Sequence, residues 1–281
     1  MMLHISSRDN PLYKHVKRLM QGRERHASPD TDALPASDQS GKSRPDRLAL
    51  VLEGVHLCQD WLKHRGQPAR AIFDAQRLQH SSELQDLAKR VHGQYAVSMD
   101  TSLVQSISAV AKGQGVVFVV EHDRAVQPER ITQACIWLDR IQDPGNVGVL
   151  LRTAAAAGIK HAYLSHECAS AWSPRVLRSA QSAHFVMDLY EQADLLQSCE
   201  RLAIPLYATA LRDDAVSLYE EPLPAPCVWV FGNEGQGVHP GLLAKADRCF
   251  YIPQDPCVES LNVGIAAGIC LFEQRRQHNR A

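Results

Sequence analysis

The stretch Asp143-Pro144-Gly145-Asn146-Val147-Gly148-Val149-Leu150-Leu151-Arg152 decides the fold. It follows Ile136-Trp137-Leu138, an apolar run with the composition of a buried strand. Asp143-Pro144-Gly145 reads as a turn, and Asn146 sits where an N-cap belongs, its side chain free to satisfy an orphan amide. Gly148 and Arg152 are four residues apart and share one helix face, which leaves room for the guanidinium or for a ligand approaching the backbone. Ala154-Ala155-Ala156-Ala157-Gly158 then lets the helix pack closely and stop. Taken alone, this stretch is more simply a capped helix carrying a surface arginine.

Working outward, a second marked stretch follows the apolar run Val228-Trp229-Val230-Phe231. It reads Gly232-Asn233-Glu234-Gly235-Gln236-Gly237. Three glycines in six residues at the end of a strand allow a ligand to approach the backbone, and Glu234 is placed to meet a polar group on it. The spacing is neither Gly-x-Gly-x-x-Gly nor a phosphate loop ending in Lys-Ser/Thr, which disfavours a nicotinamide or ATP site. A plain glycine-rich turn with a solvated Glu234 is the competing reading. The third stretch, Ser260-Leu261-Asn262-Val263-Gly264, follows a strand ending at Ile252-Pro253. Ser260 is expected to cap a helix over 261–276, with Asn262 as the polar exception near its start. Gly264, Ala267 and Gly268 form a small-residue stripe that suits a core contact or a subunit interface.

Around these stretches the chain alternates strand and helix, which predicts two α/β domains. The first is expected over 1–121, with strands at 48–53, 69–73, 95–97 and 116–121 and helices at 11–21, 55–63, 83–91 and 102–108. Residues 27–46, rich in Ser, Asp and Pro without periodicity, read as a flexible insertion. Residues 122–133 read as a linker. The second domain is expected over 134–281, with strands at 134–138, 161–164, 184–187, 204–209, 227–231 and 248–252. Its helices are expected at 146–157, 173–180, 191–201, 239–245 and 261–276.

A chain of 281 residues, 45% hydrophobic and 22% charged, can bury a sizeable core, and it has no apolar run long enough to span a bilayer. Its first residues lack the apolar segment of a signal peptide, so a cytoplasmic location is the expectation. The eight cysteines show no Cys-x-x-Cys spacing and mostly sit in apolar runs, which argues for buried reduced thiols and gives no metal site. Net charge is −1 but unevenly spread. Residues 8–25 carry Arg8, Lys14, Lys17, Arg18, Arg23 and Arg25 against Asp9 and Glu24, a face suited to phosphates. The same helix is equally a solvated amphipathic one with Leu12, Val16, Leu19 and Met20 turned inward.

Taken in order, the three stretches resemble the SpoU (TrmH-like) branch of the SPOUT RNA methyltransferases, over roughly 132–276. The N-terminal part, with Asn10-Pro11-Leu12-Tyr13-Lys14 and Leu52-Glu53-Gly54, resembles that family's smaller substrate-binding domain of ribosomal-protein L30e type. One departure is Ser182, where the family usually has glycine. The resemblance implies a C-terminal α/β domain tied in a deep trefoil knot. It implies S-adenosylmethionine held at Gly232, Ile252 and Leu261, with Gly237 and Thr209 beside it. It also implies a homodimer through the helix over 261–276.

The implied reaction carries a methyl from the sulfonium to a ribose 2′-hydroxyl, in ribosomal RNA more than in tRNA. Arg152 would activate the hydroxyl. A guanidinium stays charged, so the chemistry open to it is to clamp the phosphate and stabilise the developing alkoxide. Asn146 would orient it or the ribose, with Glu234, Ser260 and Asn262 completing the set. Lys14, Lys17 and Arg18 would capture RNA. Two alternatives are a knotted RNA-binding protein without catalysis and a dinucleotide-dependent enzyme. The second lacks its glycine-rich turn after the first strand.

Overall fold

The computed structural model describes residues 2–21, 47–110 and 113–278. The expected insertion at 27–46, and Arg23, Glu24 and Arg25, lie outside them. The described chain divides into two compact units, Met1–Arg124 and Ala125–Ala281.

The first unit contains, in chain order, β1 (Leu3–Ile5), α1 (Pro11–Met20), β2 (Arg47–Glu53), α2 (Val55–His64), β3 (Arg70–Asp74), α3 (Ala75–His80), α4 (Ser82–Arg90), β4 (Ala96–Met99), α5 (Thr101–Ile107) and β5 (Val116–Asp123). Its sheet runs β1-β4-β3-β5-β2, with β5 antiparallel to both β2 and β3. Asn10 caps α1 by accepting the amides of Leu12 and Tyr13, and Pro11 supplies the first helical residue. Leu12, Tyr13, Val16 and Leu19 are buried against β2 and its neighbours, while Lys14, Lys17 and Arg18 are exposed. Strand β1 and helix α3 are too short to carry a periodic signal.

The second unit contains β6 (Cys135–Asp139), α6 (Pro144–Ala157), β7 (His161–Ser165), α7 (Pro174–Ala180), β8 (Asp188–Ala193), α8 (Leu195–Ser198), β9 (Leu206–Thr209), β10 (Val216–Ser217), β11 (Val228–Gly232), α9 (Pro240–Leu243), β12 (Arg248–Tyr251) and α10 (Val263–His278). Every strand pair in its sheet, β10-β12-β9-β11-β6-β7-β8, is parallel. The central strands are buried on both faces, which is why they read as continuous apolar runs. Part of the segment expected as a linker belongs to this unit. Ile131 is buried and bridges Leu202.

Two expected elements are corrected. Residues 181–185 form a 3-10 turn, and the strand expected at 184–187 lies instead at 188–193, in register with β7. The left-handed residue of that turn is Gln181, at φ 53°, beside Ser182. The helix expected at 191–201 is reduced to α8 and a 3-10 turn over 199–201, because β8 continues to Ala193. In the apolar run Phe185-Val186-Met187 the two outer residues are buried and Val186 is exposed, so the run alternates as a strand would without joining the ladder.

Candidate active site

The carboxyl ends of β9, β11 and β12 lie side by side, with Thr209 opposite Phe250 and Gly232 opposite Asp139 of β6. Outside the ends of parallel strands the backbone must turn away, and the space left there is where such sheets take ligands. Here the loops after the three strands enclose a cavity of about 440 Å³. Thr209, Gly232, Gly237, Ile252 and Leu261 all line it, together with Glu234, Ser260 and Asn262. Val238, Phe250, Ile252 and Leu261 give it apolar walls, and Thr209, Glu234, Gln254, Glu259 and Ser260 give it a polar rim. That mixture suits S-adenosylmethionine, which joins a purine to hydroxyl, amino and carboxylate groups, and the volume falls in the range of cofactor sites.

The glycine-rich loop is tightly built. Asn233 and Gly237 exchange backbone hydrogen bonds at 3.1 and 2.8 Å, and Asn233 Oδ1 accepts the amides of Gly235 and Gln236. Gly237 takes φ 67°, where a side chain would be strained. Gly232 is glycine because the loop folds back on it. A Cβ there would lie 2.2 Å from the backbone of Gly237 and Val238. The requirement at Gly232 is thus for loop closure, ahead of any room for the cofactor.

A chain of side-chain hydrogen bonds ties the three sequence motifs together at the cavity rim. Asn262 Oδ1 accepts the amides of Gly264 at 2.9 Å and Ile265 at 3.4 Å. Asn262 Nδ2 donates to Asn146 Oδ1 at 3.0 Å, and Asn146 Nδ2 donates to Glu234 Oε1 at 2.8 Å. Each amide group therefore has its oxygen and nitrogen assigned by its neighbours.

Three local readings are corrected. Asn146 is not the N-cap of α6. Asp143 is, accepting the Asn146 amide at 2.8 Å, which places Asn146 inside the first turn with its side chain free to face Glu234. Ser260 does not cap α10, which begins at Val263 and is capped by Asn262. Gly148 does not leave room for a guanidinium. Its face meets α7, where a Cβ would strike Ser179 Oγ at 1.7 Å. Asn262→Ala removes the cap of α10 and is expected to cost about 1 kcal/mol. Thermal melts should show a fall in Tm of roughly 2–4 °C, and an unchanged melting curve would remove Asn262 from the helix start.

Arg152 is exposed and does not line the cavity of its own chain. It lies six residues beyond Asn146, about 9 Å along α6. Lys14, Lys17 and Arg18 belong to the other unit, exposed on α1. Lys14 pairs with Asp9 at 2.8 Å, and Lys17 sits over the Tyr13 ring. Two residues that motif reading did not single out are Asp139 and Arg140, which hold the glycine-rich loop from behind. Arg140 at φ 57° gives no signal in sequence.

Four cysteines, Cys58, Cys135, Cys227 and Cys270, are buried. Burial pushes the Cys227 thiol up to about 11 and Cys270 up to about 12, so both stay protonated and unreactive at neutral pH. Among the described residues no His, Cys, Asp and Glu cluster is arranged to hold a metal, and no helix is long and apolar enough to cross a membrane.

Comparison with known proteins identifies the family. Residues 133–272 match the model of the SpoU rRNA methylase family. The chain is 32% identical over 279 residues to an uncharacterised tRNA/rRNA methyltransferase of Synechocystis, covering 97% of this chain and 93% of that one. It is 29% identical over 239 residues to the 23S rRNA (guanosine(2553)-2′-O)-methyltransferase RlmP of Bacillus subtilis, covering 83% and 91%. Its fold matches the AdoMet-bound rRNA methyltransferase from Sinorhizobium meliloti with a TM-score of 0.75 at 23% identity, over 98% of each chain. With its ordered motifs converging on one cofactor-sized cavity, the chain belongs to the SpoU family and is an S-adenosylmethionine-dependent RNA 2′-O-methyltransferase.

Proposed function

We propose that this enzyme methylates a ribose 2′-hydroxyl in ribosomal RNA, with S-adenosylmethionine held in the cavity at the ends of β9, β11 and β12. The observation that carries this reading is the Asn262–Asn146–Glu234 chain, which fixes one polar side chain from each motif, two amides and a carboxylate, at the rim of a cavity of cofactor size. When bound, the cofactor supplies a methyl carbon already activated by its sulfonium. Asn146, locked between Asn262 and Glu234, presents a set orientation to the ribose. Ser260 adds a hydroxyl at the same rim. Arg152 clamps the target phosphate and stabilises charge developing on the 2′-oxygen.

The finer architecture follows the same reading. Strand β12 comes after β11 in the chain yet lies beyond β9, and the following segment returns to set α10 against α6. That return path supports a trefoil knot around the cavity. The first unit is read as the L30e-type substrate-binding domain, with Lys14, Lys17 and Arg18 on its RNA face. The protein works as a homodimer through the face where Val149, Ile265 and Phe272 are exposed. A ribosomal substrate accords with the cytoplasmic location expected from sequence.

Transfer of labelled methyl to ribosomal RNA and to tRNA, followed by mapping of ribose methylation, tests the substrate. Incorporation into tRNA alone would overturn the ribosomal assignment. Neutralising Lys14, Lys17 and Arg18 together is expected to weaken RNA binding and to reduce its salt slope by up to about 3. Cofactor affinity should not change. If the salt slope of the triple variant equals that of the wild type, these residues are only the solvated face of α1.

A further inference from the structure

The glycine-rich loop is braced on the side away from the cavity. Asp139 ends β6 and is almost wholly buried, as is most of the Arg140 side chain, with side-chain exposures of 5% and 16%. Arg140 Nε and Nη2 each donate to the Asp139 carboxylate at 3.2 Å, and Asp139 Oδ2 also accepts the His239 amide at 2.7 Å. The remaining donors of Arg140 reach across to the loop. Nη1 donates to Gln236 Oε1 at 2.7 Å and Nη2 to the Gly237 carbonyl at 3.2 Å. The Arg140 carbonyl meanwhile accepts Asn233 Nδ2 at 2.9 Å. One residue therefore holds the start of the loop through its backbone and the end of the loop through its guanidinium. Its φ of 57°, a left-handed value that non-glycine residues seldom take, turns both groups toward the same loop.

Between the two braced ends lie Glu234 and Gly235, both on the cavity wall, and Glu234 anchors the Asn146 amide. Loop ends that are fixed before the ligand arrives lower the ordering cost of binding.

We propose that Arg140 is a positioning residue for cofactor binding. Together with Asp139, it holds the 233–237 loop in the form that accepts S-adenosylmethionine. The proposal rests on the cofactor occupying the cavity described above. A planar guanidinium serves three partners at once, and a lysine ammonium is too short and has the wrong geometry to do so.

Arg140→Gly is the direct test, because glycine adopts the left-handed backbone without strain and only the guanidinium is lost. The expected result is a folded protein whose Kd and KM for S-adenosylmethionine rise about 10- to 100-fold while kcat stays within about threefold. Arg140→Lys should restore little of that affinity. A role in fold stability alone would lower Tm and the active fraction with KM unchanged. Should the unpaired Asp139 prevent folding, Asp139→Asn/Arg140→Gly removes that charge and is read in the same way. Ala266→Phe, which fills the cavity from the first turn of α10, is the control. If Ala266→Phe loses cofactor binding and folded Arg140→Gly keeps wild-type affinity, the brace is overturned and the cavity assignment stands. If Ala266→Phe binds as wild type does, both fall.

Discussion

Arg152→Ala should lower methyl transfer by at least about 10²–10³-fold, the loss typical of removing one preorganised group from a developing anion. Affinity for S-adenosylmethionine should stay within about twofold, because Arg152 lies outside the cavity that the cofactor would occupy. The exposed guanidinium makes this separation clean. No buried partner is stranded by its removal, so the variant should melt like the wild type. Arg152→Lys keeps the charge and loses the planar fork, so it should recover little if the group grips phosphate through two oxygens. Recovery to more than about a third of the wild-type rate by lysine would show that charge alone suffices. Substantial turnover by the alanine variant would remove Arg152 from the mechanism.

What was legible in the chain, and what was not, divides along a physical line. Strands β6 and β11 were legible because burial on both faces leaves continuous apolar runs. The glycine-rich loop was legible because three glycines after such a run have few other uses. Features set by distant partners were not legible. Asn146 looks like a cap because Asx residues usually are, yet Asp143 takes that role once Pro144 opens the helix. Ser260 and Asn262 both suit a helix start, and the choice falls to Asn262 because its amide is also held by Asn146, across 116 residues of sequence. Arg140 reads as an ordinary charged residue after a strand. Only the folded loop shows its guanidinium bound to Gln236 and Gly237. Strand β8 begins later than the apolar run suggests, because register against β7, and not local composition, decides where that ladder begins.

Ile265→Glu/Phe272→Glu should convert an active dimer into a poorly active monomer. Along α10 the small residues face inward. Gly264 abuts Val149 of α6, where a Cβ would lie 2.7 Å from Cγ1, and Ala267 is fully buried. Gly268 has ordinary room, with Thr153 Cγ2 3.8 Å from a built Cβ. The small-residue stripe thus serves contact within one subunit, and enlarging Gly268 would press on its own α6 and lower stability without addressing association. The outer face is different. Ile265 is 56% exposed, Phe272 46% and Val149 39%, and Arg152 shares the Val149 side of α6. Burying the exposed half of Ile265 and Phe272 in each of two copies is worth roughly 3–6 kcal/mol, about 10²- to 10⁴-fold in dimer affinity. Two glutamates per subunit would remove that gain and add charge repulsion. Association at this face would bring Arg152 of one subunit toward its neighbour, and the cavity of a single chain lacks that residue. Sedimentation should therefore show a wild-type dimer at micromolar concentration and a monomeric double variant, with turnover reduced at least about tenfold and melting little changed. A wild-type protein that sediments as a monomer at that concentration while methylating RNA at full rate would leave this apolar face without a role in catalysis, and Arg152 would have to reach the ribose from within its own chain.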